Sequence, residues 1–86
     1  MRKFCVQVIG GFRFSTVLIH NATPRLIRIL HQDFSERAGR DKEPLAEFKS
    51  EIKEGKADLH ITFIRNEDVD RIMMMVIDEQ SYLDTL

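Results

Sequence analysis

Residues 4–20 read Phe4-Cys5-Val6-Gln7-Val8-Ile9-Gly10-Gly11-Phe12-Arg13-Phe14-Ser15-Thr16-Val17-Leu18-Ile19-His20. Phe4, Val6 and Val8 alternate with Cys5, Gln7 and Ile9, the period of two that marks a strand. Gly10-Gly11 then supplies a turn, and Phe12 to His20 returns as a second strand. A one-residue slip in the pairing exchanges the two faces, so register decides which residues are buried. A three-residue loop at 10–12 pairs Phe4 with Leu18, Val6 with Thr16 and Val8 with Phe14, which gathers large apolar groups on one face. That register leaves Ile9, Val17 and Ile19 on the opposite, outer face.

Downstream, Thr23-Pro24 reads as a helix start, with Thr23 as cap and proline at the first helical position. Leu26, Ile27, Leu30 and Phe34 form one stripe of a first helix to about Arg37, with Asp33 and Arg37 as an i,i+4 pair and Gly39 as the stop. Pro44 opens a second helix with Leu45, Phe48 and Ile52 on a narrow face, closed by Gly55. Leu59, Ile61 and Phe63 alternate with His60, Thr62 and Ile64 as a third strand, which puts Ile64 on the outer face. Asn66 or Asp68 caps a last helix with the inner stripe Val69, Ile72, Met73 and Val76. The expected fold class is therefore α+β in the order ββααβα, a single domain over residues 1–86. Its three-stranded, mainly antiparallel sheet carries helices mostly on one face.

Composition bounds the function. Eighty-six residues suit one domain. The single Cys5 excludes an intramolecular disulfide framework and a cysteine-rich zinc module. The longest apolar run, Ile72 to Ile77, is far short of the roughly 20 residues that cross a bilayer. With no signal-peptide pattern after Arg2 and Lys3, a cytoplasmic location is expected, without membrane contact. Net charge is −1, but it is divided unevenly. Residues 1–42 hold eight Lys and Arg against three acids, and residues 43–86 hold five against eleven.

Motifs for catalysis or cofactors are missing: no glycine-rich phosphate loop, no His-Glu-x-x-His, no paired cysteines, no nucleophile elbow. His20, His31 and His60 lack metal-ligand spacing, so neither metal nor cofactor is expected. By strand parity Cys5 and His60 share the outer face, and a thiol–imidazole pair there is the minor, enzymatic alternative. Arg2, Lys3, Arg13, Arg25 and Arg28 precede the first acid, and with Phe12 to stack on a base they define a second alternative, nucleic-acid or phosphate binding. The leading expectation is non-enzymatic. Met74, Met75 and Ile77 widen the apolar arc of the last helix, and Ile9, Val17, Ile19 and Ile64 make the outer sheet face half apolar. Surfaces of this kind mark partner sites. The chain is thus expected to be a small interaction protein of inhibitor, antitoxin or adaptor type, a homodimer with a protein partner.

Overall fold

The computed structural model describes residues 4–41, 46–53 and 56–86. The elements run β1 (Cys5–Ile9), β2 (Phe14–His20), α1 (Pro24–Asp41), β3 (Glu47–Lys53), β4 (Lys56–Arg65), a 3₁₀ turn (Asn66–Asp68) and α2 (Val69–Asp84). The strands form one antiparallel sheet in the order β1-β2-β4-β3. Among the described residues the architecture is α+β, with four strands where three were expected and two α-helices where three were expected.

The expected second helix is the first correction. In Glu47-Phe48-Lys49-Ser50-Glu51-Ile52-Lys53, a charged residue stands at every odd position, so the segment carries a period of two as well as the 3–4 spacing of Leu45, Phe48 and Ile52. Pairing decides between them. All seven residues of β3 pair with β4, from Glu47 opposite Thr62 to Lys53 opposite Lys56. Phe48 passes under α1, its ring 5.2 Å from His31 and 5.6 Å from Phe34. Pro44, Leu45 and Gly55 lie outside the described residues.

The hairpin register is the second correction. Val6 is opposite Ile19, Val8 opposite Val17 and Ile9 opposite Thr16. Relative to the expected pairing this is a shift of three residues, an odd number, so β2 presents its other face. Val17 and Ile19 are completely buried, while Leu18 is only partly covered. On β1 the expectation holds for Phe4 and Val6, which pack against the core, but not for Val8, which is exposed.

A bulge makes the third correction. Between Ser15 and Val17, β2 advances two residues while β4 advances three, from Ile64 to Ile61. The extra residue inverts side-chain parity along β4. Ile64 therefore turns inward and is completely buried, whereas Phe63, at φ 57°, faces solvent. Three residues expected on the outer face, Val17, Ile19 and Ile64, are core residues.

Both helices pack on the inner face. Leu26, Leu30 and Phe34 of α1 and Ile72 and Val76 of α2 close on Val17, Ile19, Leu59, Ile61 and Ile64. The Thr23 hydroxyl oxygen accepts the Leu26 N–H at 3.1 Å, the expected cap. Gly39 does not stop α1, which continues to Asp41. At the other end, neither Asn66 nor Asp68 caps α2 by a side-chain bond. Asp68 instead accepts from Arg37 and from Arg65 Nε at 3.0 Å. Arg71 of α2 grips Asp33 of α1 at 2.6 and 2.9 Å. These ion pairs fasten α1, β4 and α2 at one end of the core.

Candidate interaction surface

The loop after β1 is set by two local constraints. A Cβ on Gly11 would collide with the Phe14 carbonyl oxygen, so only glycine fits there. Asn66, at the end of β4, then fastens the loop. Its amide Nδ2 donates to the Gly11 and Phe12 carbonyls at 3.1 and 3.2 Å. Its backbone N–H donates to the Arg13 carbonyl at 3.2 Å, and its Oδ1 accepts from the Ser15 hydroxyl at 2.5 Å.

The consequence is an aromatic end to the sheet. Phe12, at the loop tip, is 95% exposed. Phe14 is 49% exposed and Phe63 58%, their rings edge to face with centroids 6.4 Å apart. Ile9, 59% exposed, closes β1 at the same end. Burying a phenylalanine contributes about 1.5–3 kcal/mol. Three rings left about half or more in water therefore forgo several kcal/mol, in a class of domain whose whole stability is about 5–15 kcal/mol. Phe63 adds backbone strain, since an L-residue other than Asn or Gly in the left-handed region costs about 1–2 kcal/mol. Arg13, Arg65 and Glu67 border a crevice of about 360 Å³ between Phe12 and Phe14. Arg65 is already paired with Asp68 at 3.0 Å and with Glu67 at 3.8 Å, so this end carries both signs of charge.

The remaining residues named from sequence separate. Met74 and Ile77 are more than half exposed on α2, in the layer opposite the outer sheet face. Met75 turns toward α1 and packs on the core, lining a crevice with Arg25, Ile29 and Tyr82. Arg13 and the pair Arg25 and Arg28 stand at opposite ends of β2, roughly 20 Å apart at 3.3 Å per residue. Arg25 is engaged, its Nε 3.4 Å from the buried Glu79 carboxylate and its guanidinium 3.8 Å over the Tyr82 ring. Arg2 and Lys3 lie outside the described residues. Among the described residues, Arg13 and the pair Arg25 and Arg28 do not form one patch.

Cys5 and His60 are not neighbours, because β2 lies between their strands. Cys5 sits opposite His20, whose Nδ1 is 3.1 Å from Asp58 Oδ1. This row lies on the open sheet face, where no described helix shields it from water. A groove of about 620 Å³, mostly apolar, runs between α1 and β3 beside Ile27, Arg28, His31 and Ser50. Among the described residues no three His, Cys, Asp or Glu side chains gather as metal ligands, and no helix is long and apolar enough to cross a membrane.

Sequence reasoning missed Phe14 and Phe63 because both depend on register. The one available signal was local: Phe12, Phe14 and the Gly-Gly turn crowd into five residues. No protein-family model, curated protein or solved structure matches this chain.

Proposed function

We propose that the chain is a small interaction protein that binds a protein partner through the aromatic end of its sheet, Ile9, Phe12, Phe14 and Phe63. The observation that carries this reading is Phe63, held at φ 57° by the bulge with its ring turned out against Phe14. Strain and solvent exposure both act against the fold at this residue, and a partner that buries the rings offsets both. Aromatic side chains with an adjacent arginine match the composition of binding hot spots.

The mixed charge favours protein over nucleic acid. A strand of phosphates selects an unbalanced positive surface, and here Arg65 is matched by Asp68 and Glu67. Arg13 beside the exposed rings is what supports the second reading, stacking of single-stranded nucleic acid.

Placing a photo-reactive phenylalanine analogue at position 12 tests the two readings in the native cell. The expected product is one defined protein adduct that disappears when Phe63→Ser is added. An adduct with nucleic acid supports the second reading, and the absence of any discrete adduct overturns both.

A further inference from the structure

The two edges of the sheet differ in a way the aromatic end does not explain. On the β3 edge, Glu47, Lys49 and Glu51 are exposed charges at alternate positions, the device that keeps an edge strand from pairing. The β1 edge, Cys5-Val6-Gln7-Val8-Ile9, carries no charge, no proline and no bulge along its length. Val8 is 46% exposed and Ile9 more so. Beside this edge runs a stripe of α2. The Phe4 N–H donates to Gln80 Oε1 at 3.0 Å, and Ile77 and Met73 precede Gln80 on the same side of the helix, at i−3 and i−7. Ile77 is 53% exposed and Met74, the next residue round the helix, is 57% exposed.

We propose that the β1 edge pairs antiparallel with the β1 edge of a second copy of this chain, about a twofold axis at Gln7. In an antiparallel strand, alternate residues direct both N–H and C=O to the same side. The Phe4 N–H is taken by Gln80 and not by β2, so Val6 and Val8 present their backbone groups to the open edge. The strand is self-complementary in this register. Val6 lies opposite Val8 of the second copy, Cys5 opposite Ile9, and Gln7 opposite its own equivalent on the axis. The two Val6–Val8 pairs supply about four backbone hydrogen bonds, and no like charges meet. The α2 stripes of Met73, Ile77 and Met74 approach each other over the same axis, as an isologous interface requires. A five-residue strand spans about 17 Å, and the stripe from Met73 to Ile77 adds a shorter contact of roughly 6–8 Å along α2. This is the small end of interface sizes, so the dimer is weak and depends on concentration. In it, the two aromatic ends point in opposite directions, which makes the assembly bivalent.

The test is disulfide trapping in a Cys5→Ser background. Gln7 and its equivalent form a non-hydrogen-bonded pair, with Cα atoms about 4.5 Å apart, within disulfide reach. Gln7→Cys should cross-link to a dimer of twice 10.1 kDa under mild oxidation, whereas Lys49→Cys on the β3 edge should not. Sedimentation of the wild-type chain from about 10 μM to 1 mM should show mass rising toward the dimer, and Val8→Lys should remain monomeric. If Val8→Lys fails to fold, Gln7→Cys trapping decides alone. A chain monomeric throughout that range, equal cross-linking at positions 7 and 49, or a folded Val8→Lys that dimerises like wild type overturns the proposal. Phe12→Ser should leave the mass unchanged, so the proposal stands or falls separately from the aromatic-end reading.

Discussion

Asn66 Nδ2 donates to the Phe12 carbonyl at 3.2 Å, a bond across 54 residues of chain that sets where the first loop ends. With the companion bonds to Gly11, Arg13 and Ser15, Asn66 replaces the turn chemistry that a tight hairpin would supply itself. Asn66→Ala should cost about 1–2 kcal/mol, because its bonds are partly exposed and each contributes about 1 kcal/mol or less. Denaturant melts measure the cost, and amide exchange should accelerate at residues 11–15 before the rest of β2. Unchanged exchange there would show that Gly11 alone holds the loop.

Phe63 should behave as a residue kept at the expense of stability. Phe63→Asn, which tolerates the left-handed region, is expected within about 1 kcal/mol of wild type despite the lost ring contact. Phe63→Val, branched at Cβ in the same conformation, should be the less stable of the two. A melting series that ranks Val above Asn would remove the strain argument. Both variants should lose the position-12 protein adduct.

Core and surface substitutions should divide as the register dictates. Ile19→Ala is expected to cost about 2–5 kcal/mol and Met74→Ala about 0.5 kcal/mol or less. Val17→Glu should unfold the chain outright, because it places a carboxylate in a fully buried site. Circular dichroism of that variant separates the two registers, since the three-residue loop would leave position 17 in solvent.

Acid should loosen the end where α1, β4 and α2 meet. The Arg71 hydrogen bond, aided by its charge and by Arg37, lowers the Asp33 carboxyl below its ordinary 3.8. For Asp68, burial opposes ionisation, but hydrogen bonds from Arg37 and Arg65 outweigh it and the group is also lowered. A carboxyl lowered in the folded state stabilises fully above its unfolded value, and that contribution is lost as pH falls through the folded value. Stability should therefore be flat above about pH 5 and decline below about pH 4. Asp33→Asn with Asp68→Asn should lower the plateau and flatten the decline in urea melts between pH 2 and 6.

Arg25→Ala should act on stability and not on ligand binding. Glu79 is almost fully buried, and removing its cation leaves a carboxylate without a counter-charge, a loss of about 1–3 kcal/mol. If the variant keeps full stability but loses affinity for nucleic acid, the basic-residue reading regains its footing.

The elements that depend on neighbouring residues were legible. Thr23-Pro24 announced α1, the Leu26, Leu30 and Phe34 stripe announced its buried face, and Ile72 and Val76 did so for α2. Segment 47–53 was ambiguous, because Phe48 and Ile52 fit both a helical stripe and one face of a strand. The alternating charges at 47, 49, 51 and 53 were the overlooked signal. Of the partner surface named from sequence, Ile9, Met74 and Ile77 are exposed. Val17, Ile19 and Ile64 are in the core, and Met75 packs against it.

By itself, then, the sequence determined an α+β domain, its opening hairpin and the buried faces of its two helices, because 3.6- and 2-residue periods are carried by contiguous side chains. Tertiary structure decided the hairpin register, the bulge and the existence of β3. Each rests on a partner distant in the chain: Asn66 for the first loop, β2 for the parity change at Phe63, and β4 for the pairing of residues 47–53. Side-chain direction in a strand reverses with every single-residue shift, so these distant contacts also chose which apolar residues became core and which became surface.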